Sequence, residues 1–100
     1  MDSEFQKNGR TVTSSKGFAI EIKAVGGILY RDPRGQFEID TEWLVKPPGI
    51  ILYKGSLGNK GFEKMEQSQI DGIFFNAARA VEFFGYHSEI WSTPYGPDEK

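Results

Sequence analysis

Apolar residues recur at spacings of three and four between Ser68 and Gly85, and only there does the chain read clearly as a helix. Ile70, Ile73, Phe74, Ala77, Val81 and Phe84 line one stripe of that helix. Ser68 is the expected N-cap, and Asp71 stands three residues on as a weaker relative of a capping-box acid. Gly85 supplies the left-handed residue that ends such a helix. Phe75 and Phe83 lie off the stripe, where they either widen a buried face or leave an apolar patch. The first is the simpler reading.

Elsewhere the pattern alternates. Phe18, Ile20 and Ile22 take turns with Ala19, Glu21 and Lys23, which predicts a half-buried strand over 18–25. Gly26-Gly27 accepts the positive φ angles of a tight hairpin, and Ile28 to Arg31 forms the returning strand. Asp32-Pro33-Arg34-Gly35 is a second turn, followed by a strand over 36–40. A short strand is also expected over 10–15. Residues 1–9 are polar apart from Phe5, so a flexible N-terminal segment is expected there.

Residues 41–45 fit either a strand or a single helical turn, stopped by Pro47-Pro48-Gly49. Ile50-Ile51-Leu52-Tyr53 is apolar without alternation. It predicts a strand covered on both faces, through a central place in the sheet or a subunit contact. Residues 55–67 carry Gly55, Gly58 and Gly61 and read as a long, flexible loop. The last strand, 86–91, sets Tyr86, Ser88 and Ile90 against His87, Glu89 and Trp91. Residues 92–100 form a tail.

The expected fold is thus a single α+β domain over 10–91. It has a mainly antiparallel sheet of four to five strands and one long helix packed on one face, in the order β-β-β-β-α-β.

Composition narrows the chemistry. Twelve basic and 14 acidic residues nearly cancel, so the basic stripe of a nucleic-acid binder is missing. The absence of cysteine excludes disulfides and thiolate-bound zinc, and a single His87 makes no histidine cluster. No apolar run reaches membrane-spanning length, and the first residues show no signal-peptide pattern, so the expected location is the cytoplasm. Gly55-Ser56-Leu57-Gly58-Asn59-Lys60-Gly61 lacks the Gly-Lys-Ser/Thr of a phosphate loop. His87 and Ser88 are neighbours in a strand and point to opposite faces, which rules out a base–nucleophile pair. No cofactor and no catalytic residue is expected.

The remaining candidates serve binding. Glu38, Asp40 and Glu42 alternate and would share one strand face, as an ordinary solvated surface, an acidic patch for a basic partner or, least simply, a metal site. Trp43 and Trp91 each sit near the end of an element among polar residues, as core residues or as binding anchors.

Several patches resemble the small bacterial immunity proteins grouped as immunity protein 74. They are Tyr30-Arg31, the run from Phe37 to Leu44, Gly49 to Tyr53, Ser56-Leu57, and Ile70 to Gly85 with its Asn76-Ala77-Ala78-Arg79-Ala80-Val81-Glu82-Phe83 core. The resemblance spans roughly residues 28 to 91. Where that family carries a Trp-Pro segment, this chain reads Gly58 to Lys64, with Phe62 as its aromatic. The resemblance implies a non-enzymatic protein of a polymorphic-toxin or contact-dependent inhibition system, which binds and blocks one cognate toxin domain. The expected partner-binding residues are Glu38, Asp40, Glu42, Trp43, Phe62 and Trp91. The alternative is a small structural or adaptor domain that works as a homodimer, through Ile50 to Tyr53 or the surplus Phe residues.

Overall fold

The alternating stretches fold into a meander. The computed structural model describes residues 4–24 and 26–93. Strands β1 (Phe5–Asn8), β2 (Thr11–Ser14), β3 (Ala19–Ile22), β4 (Ile28–Asp32) and β5 (Gly35–Ile39) pair consecutively and antiparallel in one five-stranded sheet. Register sets Val12, Ile20, Tyr30 and Phe37 in one row across four strands. All four are buried, so the period of two in the sequence is the period of burial. Gly26 and Gly27 take the expected positive φ, 59° and 98°, but β3 stops at Ile22, short of the expected 25, and Ile22 pairs with Ile28, so the connection is longer than a two-residue hairpin. Asp32 pairs directly with Gly35, and its Oδ1 accepts the Arg34 N–H at 2.8 Å.

A second sheet follows, which the sequence pattern does not anticipate. Strands β6 (Thr41–Leu44), β7 (Gly49–Tyr53) and β8 (His87–Trp91) lie in the order β6-β7-β8. β6 runs antiparallel to β7, and β8 parallel to it after the crossover through helix α1 (Gln67–Phe84). The expected single sheet is therefore two, with α+β architecture and one helix retained. The break falls at Asp40, where the chain leaves β5 and its carbonyl accepts the Tyr53 N–H at 2.9 Å.

Helix α1 packs on both sheets through β1, β2, β7 and β8. Ile73, Phe74, Ala77 and Val81 of the expected stripe are buried with Ala80 in one core with Ile50 and Leu52 of β7, while Ile70 and Phe84 of the stripe are half-buried against it. Each fully buried large aliphatic or aromatic side chain of this core contributes about 1.5–3 kcal/mol. The helix starts earlier than the Ser68 cap predicts. Glu66 is the N-cap, and its side chain and that of Gln69 bond each other's backbone N–H groups. Gly85, at φ 120°, ends it as expected and donates to Glu82 and Val81.

Two further expectations give way. The segment 1–9, expected to be flexible, holds β1, fastened by the Glu4–Arg79 ion pair at 2.7 Å and by Phe5 against Phe18 and Phe83. Phe75 and Phe83 do not widen the buried face; they stay 60% and 42% exposed on either side of Arg79. Only four apolar positions per two turns are needed to cover the sheets, and the stripe already supplies them. Of the tail expected over 92–100, residues 94–100 lie outside the described residues.

The non-alternating strand is central: β7 has a partner on each side, and Ile50, Ile51 and Leu52 are all buried. That central place is the first of the two expected reasons for the missing alternation.

Candidate functional site: the outer face of the three-stranded sheet

Register decides which side chains share a surface. Across β6, β7 and β8 the rows run Glu42–Ile51–Glu89 and Leu44–Gly49–His87, with Asp40, Tyr53 and Trp91 forming the next row. These side chains point away from the helix, because the intervening Leu52 and Ile90 rows pack against it. The sheet's outer face is thus acidic and aromatic, built from Asp40, Glu42 and Glu89 around Tyr53 and Trp91.

Hydrogen bonds hold that face in one arrangement. Tyr53 donates its hydroxyl to Glu42 Oε1 at 2.5 Å. Trp91 Nε1 donates to Glu89 Oε1 at 2.9 Å, and His87 Nε2 lies 3.0 Å from Glu89 Oε2. Ser56 donates to Asp40 Oδ2 at 2.7 Å. The rings of Tyr53 and Trp91 meet edge to face, 5.9 Å between centroids at 84°. A shallow hollow of about 300 Å³ opens between Asp40, Tyr53, Ser56 and Trp91.

Electrostatics follow from these contacts. The bond to Glu42 pushes the Tyr53 phenol up to about 12, because ionising it would set a second negative charge beside the carboxylate. Glu89 is held below the usual carboxylate range, first by the indole N–H of Trp91 and then by His87. It stays charged through any physiological pH.

The expected site residues separate. Asp40, Glu42 and Trp91 are brought together on this face. Glu38 is not: it belongs to β5 of the other sheet, and its backbone N–H and C=O pair with Lys60 at 2.9 Å each. Alternation alone predicts one shared face, but the chain changes sheets at Asp40. Trp43 projects from the opposite side of β6, with its ring 5.3 Å from that of Tyr86. Phe62 is a satellite of the core, 5.3 Å from Phe37 and 5.7 Å from Phe74.

Tyr53, Ser56 and Glu89 complete the face and were not singled out by sequence. Glu89 was within reach, since it shares the parity of Trp91 in β8. The Gly-rich loop is pinned at two points and is not the free loop its composition predicts. Lys60 pairs with Glu38, and the Asn59 side chain bonds the backbone of Asp40 and Tyr53.

Among the described residues, no three His, Cys, Asp or Glu side chains are grouped to hold a metal ion. No helix among them is long and apolar enough to cross a membrane. Comparison with family models, with curated proteins and with solved structures gives no match.

Proposed function

We propose that the chain is a non-enzymatic immunity protein that binds and neutralises a cognate bacterial toxin domain through the outer face of its three-stranded sheet. The observation that carries this reading is the set of Asp40, Glu42 and Glu89 carboxylates, each held by a neighbouring donor around Tyr53 and Trp91. Toxins that cut nucleic acid carry basic clefts, and a rigid row of carboxylates is complementary to such a cleft. Two aromatic rings among those carboxylates give the interface anchors of the kind that dominate binding energy. Preorganisation matters as much as charge, since side chains already fixed lose little entropy on binding. The resemblance to immunity protein 74 supports the same reading.

The test is calorimetric titration of the chain with the toxin domain encoded by the adjacent gene. Asp40→Asn, Glu42→Gln and Glu89→Gln keep shape and most hydrogen bonds while removing charge. Each is expected to weaken binding about tenfold, roughly 1.4 kcal/mol, and to flatten its salt dependence. Binding by the triple variant with unchanged affinity and salt dependence would exclude this face.

A further inference from the structure

The hollow beside Asp40 has a chemistry of its own, set by which way its two rings are held. Tyr53 donates its hydroxyl to Glu42, and Trp91 donates its indole N–H to Glu89. Glu42 and Glu89 both lie in the row of Ile51, one row back from the rings. The hydrogen-bonding ends of both rings are therefore drawn away from the end of β7. The space of about 300 Å³ opens beside Asp40 and Ser56, beyond the last pair of that strand. What Tyr53 and Trp91 offer a ligand there is ring surface, set in a corner by their 84° angle.

Two charged side chains border the hollow, Asp40 and Lys54. Lys54 follows Tyr53 and alternates to the helix side, where its Nζ lies 2.8 Å from Asp71 of α1. Asp40 is exposed, and Ser56 fixes its carboxylate by donating to Oδ2 at 2.7 Å. The hollow is thus a carboxylate held by the Gly-rich loop facing an aromatic corner held by β7 and β8.

We infer that this hollow receives an arginine side chain of the toxin domain, its guanidinium on the Asp40 carboxylate and its plane against the Tyr53–Trp91 corner. The inference rests on the reading of this face as the toxin-binding one. Charge selects a cation, since Asp40, Glu42 and Glu89 together repel any anion. An apolar side chain would strip water from Asp40 and give nothing back. Between the two long cations, an ammonium is compact and strongly hydrated. A guanidinium is planar and weakly hydrated, stacks on rings and bonds a carboxylate through parallel N–H groups.

The test uses the chain with N-acetyl-arginine amide as probe, followed by the indole N–H signals in proton–nitrogen correlation spectra. The chain has two tryptophans, and Trp43→Phe leaves the signal of Trp91 alone. That signal should move saturably with the arginine amide, less with the lysine amide and not with the neutral citrulline amide. Asp40→Asn should weaken the arginine response about tenfold. Glu38→Gln removes the same charge from the other sheet and should leave the response unchanged. A still Trp91 signal, equal responses to the three amides, or a response indifferent to Asp40→Asn would each overturn the inference. Such a result beside toxin binding that still depends on the three carboxylates would leave the functional reading standing. Saturable arginine binding with no toxin complex would uphold the hollow and overturn that reading instead.

Discussion

The side chain of Asn59 stands in for a missing ladder bond beside Asp40. Its Oδ1 accepts the Asp40 N–H at 2.6 Å, while its Nδ2 donates to the Tyr53 carbonyl at 2.8 Å. Asp40 and Tyr53 would otherwise exchange two backbone bonds, yet only the one from Tyr53 is made directly. The amide is wedged in where the chain passes from one sheet to the other, and it ties the Gly-rich loop to that junction. Asn59→Ala leaves the exposed Asp40 N–H and the partly buried Tyr53 C=O without that partner, and the expected loss is about 1 kcal/mol of stability. Asn59→Asp restores only the acceptor and sets a carboxylate against a carbonyl, so it should not recover that loss. Urea denaturation midpoints check both, and an unchanged midpoint for Asn59→Ala would remove the wedge from the account.

Tyr53 and Glu42 make a spectroscopic prediction. A free phenol ionises near 10, whereas Tyr53 is pushed up to about 12 by Glu42. Ultraviolet titration should therefore show Tyr53 lagging behind an ordinary tyrosine, together with Tyr30, which burial also raises. Glu42→Gln should bring Tyr53 back towards 10, since the charge that opposes phenolate is gone. In Glu42→Gln one late tyrosine should remain, the buried Tyr30; an unchanged number of late tyrosines would show that the bond does not control the Tyr53 phenol.

The Glu4–Arg79 clasp sets an acid limit on stability. Two bonds from Arg79, helped by Ser14, lower Glu4 from 4.5 to about 2. A carboxyl depressed in the folded state contributes stability that is fully present above about 4.5 and lost as pH falls towards 2. Thermal melts between pH 5 and pH 2 should show that loss in the wild type and a shallower one in Glu4→Gln. Parallel curves for the two proteins would show that the clasp does not couple to folding.

Gly49 is required for a steric reason, not a conformational one. A Cβ there would stand 2.5 Å from the His87 carbonyl oxygen and 3.0 Å from the His87 Cβ, at the start of the parallel pairing of β7 with β8. Backbone cannot step aside there without opening the ladder. Gly49→Ala should cost about 3 kcal/mol or more and loosen β8 first. Hydrogen exchange of the β8 amides would detect it, and wild-type protection in the variant would contradict the crowding.

Periodicity made much of this fold legible. The rows Val12–Ile20–Tyr30–Phe37 and the stripe from Ile73 to Val81 follow directly from spacing, because burial on one face leaves that trace. β1 left none: Phe5 is its only apolar residue, and its place depends on partners far along the chain. Glu66 was hidden as a cap because Ser68 is the better cap by type, while the Glu66–Gln69 exchange depends on tertiary placement. The candidate face was half visible. Asp40 and Glu42 alternate within one strand, and Trp91 and Glu89 within another. Nothing local says that Glu38 falls outside the set, since the change of sheet at Asp40 is made by Asn59, a residue 19 positions away.

The clasp between Glu4 and Arg79 spans 75 positions, and this orders events as the chain is made. Glu4 and Phe5 leave the ribosome well before the helix whose guanidinium and ring, Arg79 and Phe83, they hold. During synthesis the meander from β2 to β5 can pair from local contacts alone, while β1 must wait for the helix to dock. Until then the outer edge of β2 has no finished cover, so the newborn chain is most open to wrong strand pairing just before helix α1 emerges.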